Sequence, residues 1–273
     1  MNRITEQPSL YNNLENRSVE ELVTWINQED AKVAGAIEKA LPQVTELIKE
    51  IVRTLKGGGR MFYLGAGSGG RLSVLDAIEL PTTYGIEPDR VNVILAGGVD
   101  KLVLALEEKE DDVADALEQI RKAGISANDF VLGISASGTT PFVLAGLKEA
   151  GRLGAGTGCI VSNPGSPVAA QAKWPVEVIT GPEFITGSTR MKCGTAQKML
   201  FDMISTTVMI RLGRVEDNSM VNVKLINDKI TDRAVKILMK KAGIDNYEEA
   251  KALLLSNGSV KKALLQLREG SKQ

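Results

Sequence analysis

The stretch from Met61 to Glu79, MFYLGAGSGGRLSVLDAIE, decides the fold. A short apolar run (Met61, Phe62, Tyr63, Leu64) stops at four glycines within six residues, and Arg71 then opens a segment with apolar positions at Leu72, Leu75 and Ile78. That pattern predicts a strand, a tight turn and a helix. Glycine adopts backbone angles closed to other residues and leaves no Cβ to hold a ligand away from main-chain amides. An anion suits such a turn, because the first turn of the helix presents unpaired N–H groups and the positive end of its dipole. Ser68 adds a hydroxyl at the same place.

Gly65, Gly67 and Gly70 also fit G-x-G-x-x-G, the dinucleotide fingerprint. That site needs an acidic residue at the end of the next strand to hold the ribose hydroxyls. The next predicted strand, Val91 to Ala96, ends in Gly97 and Gly98, so the second contact of a dinucleotide is missing. A glycine turn that merely packs helix on strand remains the plain alternative.

A third strand, Asp129 to Ile134, runs into Ser135, Ala136, Ser137, Gly138, Thr139, Thr140 and Pro141, with a helix expected over Phe142 to Ala150. Hydroxyls packed this densely between strand and helix make a second anion nest. A simple Ser/Thr turn with an N-cap has the same local pattern. Strands at Gly158 to Ser162 and Val176 to Ile179 follow, alternating with helices. The fold class expected is α/β, a three-layer α/β/α sandwich around a five-stranded parallel sheet with a small C-terminal helical appendage. Parallel strands put both nests at the carboxyl edge of the sheet, where open α/β sheets bind ligands.

Around this core, residues 1–56 read as an N-terminal helical arm, 57–215 as the α/β domain and 216–273 as the small helical domain. Met1 to Asn16 is polar and read as irregular. A helix starts at Ser18 and a longer one spans about Asp30 to Leu55, where Pro42 is expected to kink or break the pattern. Pro81, Thr82 and Thr83 are expected to stop the helix that follows the glycine turn. After Gly97 and Gly98 comes a helical acidic stretch containing Glu107, Glu108, Glu110, Asp111 and Asp112, a composition typical of a solvated face. Arg190 and Lys192 lead into a long apolar helix, about Thr195 to Leu212, and are equally suited to an anion or a structural ion pair. Helices at Asn227 to Lys241, Asn246 to Leu254 and Ser259 to Leu267 complete the chain.

Composition narrows the chemistry. The chain has 273 residues, 43% hydrophobic content and a net charge of −1, enough for a sizeable core and without the charge bias of a nucleic-acid or membrane binder. Cys159 and Cys193 suggest neither a disulfide framework nor a zinc site, and a reduced, cytoplasmic setting is expected, with no membrane segment. Histidine is absent. General acids and bases must then be Glu, Asp, Lys, Tyr or Cys, and Ser-His or Cys-His devices are excluded. His-rich metal hydrolases are disfavoured for the same reason.

The runs LGAGSGGRLSVLDAIELPTTYG from Leu64, ISASGTTPFV from Ile134, NPGSP from Asn163 and TGSTRMKCGTAQK from Thr186 resemble N-acetylmuramic acid 6-phosphate etherases of the sugar isomerase (SIS) domain superfamily. The likeness covers nearly the whole chain in the family's order. It implies a flavodoxin-like SIS domain, a homodimer, no cofactor, and a small-molecule sugar phosphate as partner. The activity implied is cleavage of the lactyl ether of N-acetylmuramic acid 6-phosphate to N-acetylglucosamine 6-phosphate and D-lactate, in cell-wall sugar recycling. By the same resemblance Glu79 matches the proton donor and Glu110 the second catalytic glutamate, while Ser68, Gly69, Ser137, Thr139 and Thr140 hold the substrate. Gly69, Thr139 and Val99 stand where typical etherases carry serine, arginine and glutamate. Loss of such a hydroxyl or cation is expected to weaken phosphate binding by about 1–3 kcal/mol each if it contacts the phosphate. The subfamily also includes glucokinase regulatory proteins, so a non-catalytic sugar-phosphate-binding regulator is the alternative.

Overall fold

In the computed structural model, which describes residues 3–104 and 106–270, strand β1 (Met61–Gly65) is an interior strand of a five-stranded sheet of order β2-β1-β3-β4-β5. Its neighbours are β2 (Val91–Leu95) and β3 (Phe130–Ser135), with β4 (Gly156–Val161) and β5 (Trp174–Glu177) beyond, and every pairing is parallel. Met61 is in register with both Val91 and Phe130. β1 and β3 are buried along their whole length, the continuous apolar pattern of strands covered on both faces.

The side-chain alternation of the strands sorts the layers. Phe62, Leu64, Val131, Cys159 and Val161 point to one face and pack in a single cluster with Ala116 and Ile120 of α3 (Val113–Lys122), Val143 and Leu147 of α4 (Pro141–Arg152) and Val168 of the short α5 (Pro167–Gln171). Tyr63 points the other way. Its ring packs edge-on against Phe201 of α6 (Lys192–Arg211), and its hydroxyl donates to Asp76 Oδ2 of α2 (Gly67–Tyr84) at 2.8 Å. α1 (Val19–Lys56) covers the same face, with Leu47 against the backbone of Gly158. The result is the expected α/β/α sandwich.

Several elements differ from the sequence reading for physical reasons. α1 is one helix of 38 residues that runs through Pro42. It is started by a capping box in which Glu21 N–H donates to Ser18 Oγ and Ser18 N–H donates to Glu21 Oε2. Pro42 removes one helical donor, but it and Glu38, whose carbonyl is orphaned, are exposed, so water replaces the bond. α2 likewise continues through Pro81 to Tyr84, and Gly85 at φ +62° ends it with an N–H bond to Pro81 O. The acidic stretch is not one helix: its described residues form 3₁₀ turns at Val99–Lys101 and Glu107–Asp111, and α3 begins only at Val113, capped by Asp112. β4 and β5 each start two residues earlier than the apolar pattern suggests, and β5 does so because an edge strand tolerates Pro175, which lacks a donor.

By contacts the described residues up to Asp76, with Asp89–Ile204, form one unit, and Ala77–Pro88 with the described residues from Ser205 form another. The second unit contains a small hairpin, β6 (Val215–Glu216) and β7 (Ser219–Met220), and three helices, α7 (Asp228–Ala242), α8 (Tyr247–Asn257) and α9 (Val260–Gly270). Its own core gathers Val221, Val235, Leu238, Leu254, Val260 and Leu264. No helix among the described residues is long and apolar enough to cross a membrane.

Candidate active site

The sheet order reverses direction between β1 and β3, since the chain leaves β1 for β2 on one side and β3 for β4 on the other. Such a switch point opens a crevice at the carboxyl ends of the two strands. A cavity of about 320 Å³ lies there, lined by the glycine turn after β1 and the hydroxyl loop after β3.

Each wall is built for an anion. α2 starts at Gly67, whose φ of +52° favours glycine and whose hydrogen faces the Glu110 carboxylate so closely that a Cβ would strike Oε1. Ser68 and Gly69 follow in the first helical turn, where amides have no intrahelical acceptor. At Gly69 a Cβ would lie 2.7 Å from Ile134 Cγ2 and 2.9 Å from Gln197 Oε1, so the lining there is backbone with the Gln197 side chain beside it. On the facing wall, Ser135, Ser137, Thr139 and Thr140 form a hydroxyl net. Ser135 Oγ is 2.8 Å from Thr140 Oγ1, and Thr139 Oγ1 donates to Ser137 Oγ at 3.1 Å. Gly138, at φ +70°, turns the loop so that its N–H donates to Ser135 Oγ at 3.0 Å. The net leads into the N-terminus of α4, where Pro141 occupies a first-turn position at which no donor is lost. Two helix N-termini and four hydroxyls thus converge on one space.

Against these donors stands one perturbed acid. Glu110 is half-buried at the cavity wall, and its carboxyl is pushed up to about 7 by burial, then by a hydrogen bond to Glu107 and the like charge of that residue. Glu107 is itself held below the usual carboxylate range, chiefly by its bond with Arg71, whose Nη2 donates to Oε1 at 2.8 Å. Pairs of carboxylates pushed apart in this way suit proton transfer near neutrality.

Comparison with known proteins locates the chain. The model of the glucokinase regulatory protein N-terminal SIS domain matches residues 43–150, and the SIS domain model matches residues 106–206. The N-acetylmuramic acid 6-phosphate etherase of Bacteroides thetaiotaomicron is 51% identical over 96% of this chain and 94% of its own length. That of Porphyromonas gingivalis is 51% identical over 95% and 94%. The chain belongs to the N-acetylmuramic acid 6-phosphate etherase family. Among solved structures, the phosphoheptose isomerase of Neisseria gonorrhoeae shares the fold, with a TM-score of 0.52 at 16% identity over 70% of this chain and 98% of that one.

Of the residues that the etherase resemblance singles out, Ser68, Gly69, Glu110, Ser137, Thr139 and Thr140 all line the one cavity. Glu79 is not among its lining. It is exposed on α2, roughly three turns past Gly67, toward the C-terminal end of that helix. Lys192 is no anion ligand for this etherase-family chain: it is buried at 2% exposure, and its Nζ pairs with Glu29 Oε2 of α1. Arg190 is exposed and does not line the cavity.

Sequence reasoning missed Arg3, Glu6 and Gln197, which also line the cavity. Gln197 was hidden inside a helix that reads as apolar almost all round. Arg3 and Glu6 lie in the polar N-terminal arm, which docks: Thr5 is fully buried, and its Oγ1 accepts from Asn163 Nδ2 at 2.9 Å. The one sequence signal was Asn163 in the NPGSP run, since a buried asparagine needs partners from elsewhere in the chain.

Proposed function

We propose that this chain cleaves the D-lactyl ether of N-acetylmuramic acid 6-phosphate, giving N-acetylglucosamine 6-phosphate and D-lactate. The observation that carries the proposal is an acid poised near neutrality, Glu110, in a cavity bounded by two helix N-termini and a net of hydroxyls, within a chain half identical to etherases over nearly its whole length.

The chemistry requires two proton-transfer groups and no redox step. Ring opening exposes the C1 aldehyde and acidifies C2–H. A base removes that proton, the electron pair forms the C2=C3 double bond, and the C3–O bond breaks. An acid protonates the departing ether oxygen, which leaves as D-lactate. Water then adds across the double bond, hydroxyl to C3 and proton to C2. Glu110 is assigned the C2 proton, and Glu79, by the family motif, protonates the leaving oxygen. Ser68, Gly69, Ser137, Thr139 and Thr140 are assigned to the 6-phosphate and the open-chain hydroxyls. The sheet-edge hydroxyls and helix N-termini support this, since they offer converging donors.

The proposed assembly is a cytoplasmic homodimer, and Glu79, exposed on α2, is available to a second copy's cavity. A non-catalytic sugar-phosphate regulator would need neither glutamate. Purified protein is expected to release D-lactate from N-acetylmuramic acid 6-phosphate, and Glu79→Gln and Glu110→Gln to abolish release while the fold and binding of N-acetylglucosamine 6-phosphate survive. Release by both variants at the wild-type rate refutes the assignment.

A further inference from the structure

The N-terminal arm carries a side chain whose position the etherase assignment does not use. Arg3 reaches the cavity, where its Nη1 donates to Thr139 Oγ1 at 3.3 Å. It is the one cation among the described residues lining that space, and it forms no ion pair among the described residues, although Glu6, Glu110 and Asp111 line the same cavity. A guanidinium has five donors in a planar fork, and the one hydroxyl acceptor it meets among the described residues engages only one of them.

This placement is built into the fold. Two residues on, Thr5 N–H donates to Asn163 Oδ1 at 3.3 Å, and Thr5 Oγ1 accepts from Asn163 Nδ2. The same Nδ2 group donates to Ala136 O at 3.1 Å and Ser137 O at 3.0 Å. Asn163, itself fully buried, therefore ties the arm directly to the hydroxyl loop that Arg3 faces. Further along the arm, Ser9 fixes it again, donating from Oγ to Phe184 O at 2.7 Å and from N to Thr186 Oγ1 at 2.9 Å. Tyr11 completes the anchorage, its ring tilted against Phe184 and its hydroxyl donating to Glu29 Oε1 at 2.9 Å. A cation held against serine and threonine hydroxyls, beside two helix N-termini, matches the geometry by which arginine grips a phosphate.

We propose that Arg3 is a binding residue for the phosphate of the sugar phosphate, delivered by the docked arm, with Asn163 as its positioning residue; this rests on the etherase reading of the cavity. The guanidinium and the Thr139 hydroxyl hold one phosphate edge, and the amides of the Ser68–Gly69 turn hold the other. The substrate also carries a lactyl carboxylate, and the experiment separates the two anions.

The test uses the full-length protein and an Arg3→Gln variant, titrated calorimetrically with N-acetylglucosamine 6-phosphate and assayed for D-lactate release with inorganic phosphate as competitor. Arg3→Gln is expected to weaken N-acetylglucosamine 6-phosphate binding and phosphate inhibition by about 10–100-fold, to raise KM for the full substrate comparably, and to leave kcat within threefold. Arg3→Lys, which keeps the charge and loses the fork, is expected to recover part of the loss. Arg3→Gln with unchanged affinity for both phosphate ligands overturns the proposal. So does a loss confined to the lactyl-bearing substrate, which would assign Arg3 to the carboxylate. Lactate release by the wild-type protein is read separately, so failure of the etherase reading is not confused with failure of this one.

Discussion

Replacing Glu107 by glutamine tests the source of the poised acid. The Glu110 carboxyl stands at about 7 against an ordinary 4.5, a rise of about 2.5 pH units, with burial the largest cause and Glu107 the next. Glu107→Gln leaves the burial in place. It removes the like charge and puts an amide donor where an acceptor stood, and both changes favour ionised Glu110. Two unit charges 4 Å apart at an effective dielectric of 20 interact by about 4 kcal/mol. The Glu107 side chain is 61% exposed and partly neutralised by Arg71, so roughly a third of that remains. The Glu110 carboxyl is therefore expected to fall by about one pH unit, or about 1.4 kcal/mol, to near 6. As the base in the proposed elimination, Glu110 must be ionised, so kcat/KM for lactate release rises with pH through its pKa. The assay is that profile between pH 5 and 8.5: a limb near 7 in the wild type, near 6 in Glu107→Gln, with the plateau retained. A limb that stays at 7, or moves upward, refutes the claim that Glu107 holds the proton on its neighbour.

Gly67→Ala is expected to lower kcat sharply and stability by about 1–2 kcal/mol, because position 67 has φ +52° and its Cβ would strike the Glu110 carboxylate; thermal melting beside the lactate assay reads both, and an unaltered kcat counts against the close approach. Lys192→Met is expected to cost about 1–3 kcal/mol in urea denaturation at pH 7, since buried Glu29 loses one charged partner and keeps Lys32 and Tyr11. Burial alone would raise the Glu29 carboxyl, but hydrogen bonds from Lys192, Lys32 and Tyr11 outweigh it and hold the group at about 2. The wild type is thus expected to keep this stabilisation above pH 4.5 and to lose it as pH falls toward 2, with a smaller acid-side loss in Lys192→Met.

Much of the fold was legible in local pattern. The glycine turn after Leu64 and the hydroxyl run after Ile134 each mark the end of a parallel strand, and parallel strands put both at one edge. Prolines misled, because a missing donor was read as a break. At Pro42 the helix instead leaves one exposed carbonyl to water, and at Pro81 the helix ends within a turn in any case. Within the candidate site, side chains fixed by adjacent turns were found, whereas Arg3 and Glu6 were not: their positions depend on Thr5 meeting Asn163, a pairing 158 residues apart that no periodicity encodes. Glu79 was singled out by family motif, and it does not line the cavity.

That distant pairing also sets an order of events in biosynthesis. The segment around Thr5 has no berth until β4 and the turn carrying Asn163 have emerged and joined the sheet, so a segment made well before them settles only after them. The mouth of the cavity is finished by a closing stitch between the Thr5 segment and the turn that follows β4.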